Sequence, residues 1–580
     1  MAAANPTTPN YQARITPIHD KGIESNTCHG KSAAPTTNCK NFRQLAMRVH
    51  ELTLPYPAMC CGAPIAVIRP SRRPASGSLK RLPTVTYCRT HHVDPFAATV
   101  SYCPMVFSLL SFVYLVLALA VSLRIFSRRS SHGTALAWLL LVILLPAIGA
   151  LAYLLIGERR LGRTWMQRAI TLQPQILRWA GNIPAKDVVA PATLSSGAES
   201  ISRLATGLAG LPLMGGHRLQ LLVDSESIMR MLIADIDAAR STVHLEFYIW
   251  SAGGFVDDLV TALVNAAGRG VSCRALMDSL GSRSFFRSAA IERLRTAGVE
   301  IVEVLPVNPL RVLFVRLDLR DHRKIAVIDR CLAYTGSMNI ADPRFFKQSA
   351  GVGEWVDAMV RIEGPAAWAL EAVSLSLTVL QSGGDFAPPP APALSLAGNS
   401  QVQIFPSGPQ ASTRHIEALL LTAIYAARRE IVLTTPYFVP SETLLVALRS
   451  AAARGVRVIL IVPEKVDSWL VRYASDAYND DLLAVGIIIL HFADGLLHTK
   501  SMVIDEQVTI FGTVNLDLRS FELNFEISLI AYDQQFSAEV RELQRHYESR
   551  SRPLLLEQWR ARPHWRHVLE NAVQVMSPLL

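Results

Sequence analysis

Two stretches of this chain repeat one spacing. In the first, His322-x-Lys324 is followed by Asp329 and then by Gly336-Ser-Met-Asn339; in the second, His498-x-Lys500 is followed by Asp505 and then by Gly512-Thr-Val-Asn515. The interval from His to Asn is 17 residues in both. One H-x-K-x4-D match arises by chance at on the order of one in ten thousand positions at average residue usage. Two copies, extended identically to G-x-x-N, therefore point to a duplication, and a duplicated chain folds into two like units.

The surroundings repeat as well. A buried strand is predicted over Thr242–Trp250, a helix over Asp257–Arg269 and a second strand over Val271–Met277. Residues 383–400 contain Pro388, Pro389, Pro390 and Pro392 and read as a linker. Beyond them the same order returns, with a strand over Glu430–Val439, a helix over Glu442–Arg454 and a strand over Val456–Val462. The helix-to-strand junctions even share wording, Ala-Ala-Gly-Arg-Gly-Val against Ala-Ala-Arg-Gly-Val. Alternating strands and amphipathic helices predict an α/β fold with two homologous halves, 219–382 and 401–580, related by a pseudo-twofold.

Upstream of the repeat, 104–157 holds two uncharged apolar runs, Met105–Leu123 of 19 residues and Thr134–Ile156 of 23. Either is long enough for a ~30 Å hydrocarbon layer. Arg124, Arg128 and Arg129 lie between them, and Glu158, Arg159, Arg160 and Arg163 follow. Two transmembrane helices forming a hairpin are expected, with 158–218 as a membrane-proximal connector. Arg residues flank both ends of the second run, so the side holding the large body stays open.

The formal charge is +10 over 580 residues. Residues 1–103 hold 12 Lys and Arg against 4 Asp and Glu, so the excess lies there and the body is near neutral. That stretch has no sustained periodicity and is rich in Pro, Thr, Ser and Arg; it is expected to be a disordered extension, with Met105 as an alternative start. Cys28, Cys39, Cys60, Cys61, Cys88 and Cys103 show no C-x-x-C spacing, and Cys273 and Cys331 sit in apolar strand-like context. Neither a disulfide framework nor a metal site is predicted.

His and Lys two apart on a strand share a face, and imidazole with ammonium suits an oxyanion. Two copies meeting at a pseudo-twofold make a phosphate-sized site of His322, Lys324, His498 and Lys500, to which Asn339 and Asn515 can donate. One histidine attacks phosphorus while the other protonates the leaving oxygen, with fixed cations in the role a metal would otherwise fill. Asp329 and Asp505, seven residues past each His, read as structural anchors. Glu354 and Glu526 are assigned as carboxylates for the second nitrogen of the imidazoles.

These elements resemble the signature of the phospholipase D superfamily. Gly157-Glu-Arg-Arg-Leu-Gly162, Glu246-Phe-Tyr-Ile-Trp250, Asp321-His-Arg-Lys324, Tyr334-Thr-Gly-Ser-Met-Asn339, Thr435-Pro-Tyr-Phe-Val-Pro440, Asn515-Leu-Asp-Leu-Arg-Ser520 and Asn524-Phe-Glu526 resemble bacterial cardiolipin synthases more narrowly, from Met105 to Leu580. The resemblance implies an integral enzyme of the bacterial inner membrane that uses no cofactor. One phosphatidylglycerol gives its phosphatidyl group to a histidine, releasing glycerol, and a second phosphatidylglycerol takes it to give cardiolipin. His322 is expected as nucleophile and His498 as acid/base, though pseudo-symmetry allows the reverse. No nucleic acid and no obligatory protein partner is expected. The alternatives are hydrolysis of phospholipid by water and, from another class, a nuclease; the body lacks an Arg-rich stripe for the latter.

Overall fold

The computed structural model describes residues 95–575 except 128–131, 159–161, 181, 308–315, 317, 389, 391–396 and 410–413. Most of the basic extension and its cysteines, Arg128 and Arg129, part of the Gly157–Gly162 segment and part of the proline-rich linker lie outside the described residues.

Helix α1 (Pro95–Phe126) begins ahead of the expected boundary at residue 104. The second apolar run is divided into α2 (His132–Leu144) and α3 (Pro146–Ile156). Pro146 has no N–H and disfavours helical backbone at Leu145 before it, so the helix stops at Leu144. Gly149 then comes against the Leu141 carbonyl, where a Cβ would sit 2.5 Å from that oxygen. The expected single 23-residue helix is thus two short ones packed together. Among the described residues no helix is both long and apolar enough to cross a membrane. Arg124 pairs with Glu158 through two hydrogen bonds of 2.6 and 2.9 Å, tying the end of α1 to the end of α3.

Two helices of the connector dock on the body. Helix α4 (Arg163–Ala180) docks through Trp179 on Trp368, with ring centroids 4.6 Å apart. Helix Ser196–Ala209 places Ala198, Ile201 and Ala205 in one core with Leu419, Leu420 and Ala423, so it belongs to the second half.

Strands of the first half are β1 (Met214–Leu222), β2 (Thr242–Phe247), β3 (Ser272–Asp278), β4 (Glu300–Val304), β5 (Lys324–Ile328), β6 (Leu332–Gly336), β7 (Trp355–Val356) and β8 (Met359–Glu363). Those of the second are β9 (Ser400–Ser407), β10 (Glu430–Thr434), β11 (Phe438–Val439), β12 (Arg457–Pro463), β13 (Ile488–Phe492), β14 (Leu496–Leu497), β15 (Ser501–Ile504), β16 (Val508–Gly512), β17 (Leu516–Asp517), β18 (Glu526–Ala531) and β19 (Ser551–Pro553). The main sheet among the described residues runs β19-β13-β12-β10-β15-β16-β18-β9-β1-β8-β6-β5-β2-β3-β4. Reading outward from the β9–β1 boundary, the two halves present the same order, with β19 added at one edge.

Within each half β2–β3–β4 and β10–β12–β13 are parallel, as right-handed crossovers through a helix produce. The remaining pairs along the sheet are antiparallel. The predicted strand to Val439 ends at Thr434, because Pro436 cannot donate to a ladder, and resumes as β11 on β17. Its counterpart in the first half ends at Phe247, and Trp250 makes only an isolated bridge to Ile340.

Candidate active site

His322 and His498 do not lie in strands: β5 begins at Lys324 and β15 at Ser501. Each histidine is held instead by the opposite half. His322 N donates to Phe525 O at 2.9 Å, and His498 N donates to Val356 O at 2.8 Å. Each acceptor immediately precedes a carboxylate. Glu526 accepts from His322 Nδ1 at 3.0 Å, and Asp357 accepts from His498 Nδ1 at 2.7 Å. Each half therefore supplies the carboxylate for the histidine of the other.

Within its own half each carboxylate is oriented by the hydroxyl that follows the motif glycine. Ser337 Oγ donates to Asp357 at 2.6 Å, and Thr513 Oγ1 donates to Glu526. Ser520 Oγ donates to the other oxygen of Glu526 at 2.9 Å. The motif lysines fold back on their own histidines, with Lys324 Nζ donating to His322 O at 2.6 Å and Lys500 Nζ to His498 O at 2.5 Å.

Glu354 does not fill the expected place. Its side chain is exposed, and the partner of His498 is Asp357. Distance from histidine was a poor guide, since the segment after Asn339 is longer than the one after Asn515. Strand register is a better one: Gly336 opposes Met359 and Gly512 opposes Ser528, which makes Asp357 the counterpart of Glu526. Both stand just ahead of an apolar strand run, a signal the sequence carries.

Asp329 and Asp505 sit in the hairpin turns after β5 and β15, with φ of 50° and 53°. Aspartate tolerates this left-handed backbone. The Asp329 carboxylate accepts from the backbone N–H of Arg240, Ser241 and Thr242 at 2.7–2.9 Å. Asp505 accepts from Arg428, Arg429 and Glu430 at 2.7–2.8 Å. They anchor the starts of β2 and β10 and touch neither imidazole. Burial pulls the Asp329 carboxyl upward, but those donors outweigh it and hold it below the usual range. Asn339 and Asn515 are buried; Asn339 Oδ1 accepts from Ile249 N at 3.2 Å, which turns its amide nitrogen away from that contact.

Burial drives both imidazoles below their ordinary value, His498 to about 3, with Lys500 adding to the effect and Asp357 opposing it. Burial pushes Glu526 and Asp357 up, yet the facing histidines, the lysines and the Thr513 and Ser337 hydroxyls together outweigh it and keep both carboxyls low. An ionised carboxylate only accepts, so each neutral imidazole carries its proton on Nδ1 and leaves a lone pair on Nε2. Lys324 is pulled down to about 8 by burial, against the attraction of Glu526 from one half and Asp357 from the other. Burial likewise holds Lys500 well below its usual value. Aromatic rings back the histidines, Tyr248 at 5.2 Å from His322 and Trp355 at 4.4 Å from His498.

The family model described as Cardiolipin synthase, PLD-like domain matches residues 232–363 and 420–547, one match to each half. A second, described as Phospholipase D-nuclease N-terminal, matches residues 115–158. Cardiolipin synthase A of Erwinia tasmaniensis is 43% identical over 477 residues, covering 81% of this chain and 98% of that protein. Cardiolipin synthase A of Salmonella paratyphi B is 45% identical over 472 residues, covering 80% and 97%. In fold, the chain is similar to the phosphatidylserine synthase of Haemophilus influenzae Rd KW20, with a TM-score of 0.51 at 15% identity over 65% of this chain and 99% of that one. A duplicated fold with one composite His–Lys centre is that of the phospholipase D superfamily. Within it, the chain belongs to the cardiolipin synthase family.

Proposed function

We propose that this enzyme transfers a phosphatidyl group from one phosphatidylglycerol to another, giving cardiolipin and glycerol, with His322 as nucleophile and His498 as acid and base. The observation that carries the reading is the crossed pairing of His322 with Glu526 and His498 with Asp357, which leaves two Nε2 atoms and two lysines for one phosphodiester. His322 is the more accessible imidazole, with 12% of its side chain exposed against 3% for His498.

In the first step Nε2 of His322 forms a P–N bond as the P–O bond to glycerol breaks, and His498 gives the departing oxygen a proton. The arriving phosphodiester brings the negative charge that the lysines lack, which raises the proton affinity of His498 from its level in the empty pocket. In the second step the terminal hydroxyl of another phosphatidylglycerol gives its proton to His498 while its oxygen forms a P–O bond and the P–N bond breaks. Lys324 and Lys500 stabilise charge on the remaining phosphoryl oxygens. In this reading Asn339 and Asn515 serve as further donors.

A lipid substrate agrees with the apolar surface of the N-terminal helices, where Phe112, Leu115, Leu119, Leu123, Leu140 and Ile148 are exposed. We read α1 with the α2–α3 pair as the membrane anchor. Trp165, at the start of α4, packs against Phe525 with centroids 5.5 Å apart, one residue before Glu526. The anchor thus joins the body beside the His322 centre.

Purified protein in detergent with phosphatidylglycerol tests the reading. Cardiolipin and glycerol in equal amounts are expected, and the rate is expected to be unchanged by chelator. Phosphatidic acid as the sole lipid product would reassign the enzyme to hydrolysis.

A further inference from the structure

The proposed transfer has a requirement that hydrolysis lacks. The acceptor is itself an anion, and its attacking hydroxyl is only a three-carbon glycerol away from its own phosphate. While that hydroxyl lies at His498, a second phosphodiester must sit next to the reaction centre, and burying it there without cations would oppose binding.

A cavity of about 200 Å³ opens in the second half, lined by Tyr437, Val466, Arg472, His491, Arg562 and Arg566 among others. Tyr437 belongs to the Thr435–Pro440 segment whose wording stands out in the sequence. Its hydroxyl donates to Asp467 at 2.7 Å, and Asp467 accepts from Lys347 of the first half at 3.1 Å. The Lys347 ammonium lies 5.4 Å from the Trp355 ring, the same ring that packs at a tilt against His498. The cavity wall therefore connects, residue by residue, to the acid/base side of the centre.

Its charge balance favours an anion. Arg562 is paired with Glu570 at 2.6 and 3.1 Å, but Arg472 and Arg566 have no ion pair among the described residues. Of the two lining carboxylates, Glu464 is engaged by Arg552 at 3.2 Å. The other, Asp476, is raised to about 6 by burial and by Glu570, with Arg472, Arg562 and Arg566 pulling the other way, so three arginines face two carboxylates in the lining. The helices that supply the arginines, Trp469–Asp476 and His564–Val575, also expose Trp469, Trp565 and Val568, side chains of the kind that settle at a lipid–water boundary.

We propose that this cavity is the subsite for the phosphate of the acceptor phospholipid, held by Arg472 and Arg566. The inference rests on the transferase reading and sharpens it, because the subsite selects an anionic lipid alcohol over water or a neutral alcohol.

The test is a competition within the full-length enzyme in detergent, with phosphatidylglycerol as donor and both phosphatidylglycerol and labelled free glycerol as acceptors. Cardiolipin reports the anionic acceptor, and label entering phosphatidylglycerol reports the neutral one. In an Arg472→Gln/Arg566→Gln double variant the ratio of cardiolipin to labelled phosphatidylglycerol is expected to fall about tenfold, the scale of charge-assisted hydrogen bonds lost. An unchanged ratio, or an equal fall in both products, overturns the subsite. Absence of cardiolipin from the unmodified enzyme would instead remove the transferase reading, and the subsite with it.

Discussion

The two halves share a chain path and an inner set of groups, yet they support that set by different physics. Strand register makes Glu246 of β2 the counterpart of Thr434 of β10, and motif spacing makes Asp321 and Arg323 the counterparts of Leu497 and Thr499. Behind His322, buried Arg323 lies 3.6 Å from buried Glu246, and Asp321 is buried beside them. Burial raises both carboxyls, and for Asp321 the nearby Glu246 charge adds to it, so the pair favours holding a proton. Behind His498 the same volume is neutral: Thr499 Oγ1 meets Tyr547 Oη at 3.0 Å, and Gln544 Nε2 donates to Val432 O and Ser501 Oγ, each at 3.1 Å. Duplication kept the His–Lys set and let its backing diverge, which is how one pseudo-symmetric site comes to have two unlike histidines.

The largest effect expected from breaking the symmetry is at the imidazoles. His322→Ala and His498→Ala should each reduce turnover by ~10⁴-fold or more, as loss of a member of a catalytic unit does. Quenched intact-mass measurements should separate them: a phosphatidyl adduct on the His498 variant and none on the His322 variant. An adduct on the His322 variant would exchange the two roles.

Next come the carboxylates. Asp357→Asn and Glu526→Gln should each cost between about 10² and 10⁴ in kcat, because an amide no longer accepts from Nδ1–H in the required way. Folding measured by circular dichroism should be retained. If only one variant loses activity, the crossed pairs are not equivalent in function.

The unlike backing should appear in stability. Arg323→Met leaves Glu246 and Asp321 buried without their cation and should cost about 3–5 kcal/mol. Thr499→Val in the neutral half should cost about 1 kcal/mol. Thermal unfolding midpoints compare them, and equal losses would remove the distinction drawn here.

A smaller effect concerns pH. The Lys324 ammonium of the free enzyme is present below about 8 and is lost above it. kcat/KM should therefore decline as pH rises through about 8, by up to tenfold per unit, and a flat profile from 7 to 9.5 would remove Lys324 from phosphate binding. The smallest effect is at Glu354: Glu354→Gln should leave kcat unchanged, since that exposed side chain reaches no imidazole.

The sequence by itself determined the duplication, the alternating α/β order and the identity of the four inner groups, because these are local in the chain and recur at fixed spacing. It also carried the anchoring aspartates, whose distance past each strand is set by hairpin geometry. It did not carry the pairing of Asp357 with His498, 141 residues away across the pseudo-twofold. Nor did it carry the crossing of the carboxylates, the hydroxyls of Ser337 and Thr513 that aim them, or the charge behind one histidine alone. Those depend on which strand lies beside which, and on burial, and only the folded chain sets either. Even the second apolar run turned on a single residue, Pro146, whose missing N–H outweighs hydrophobic periodicity once a helix has to form through it.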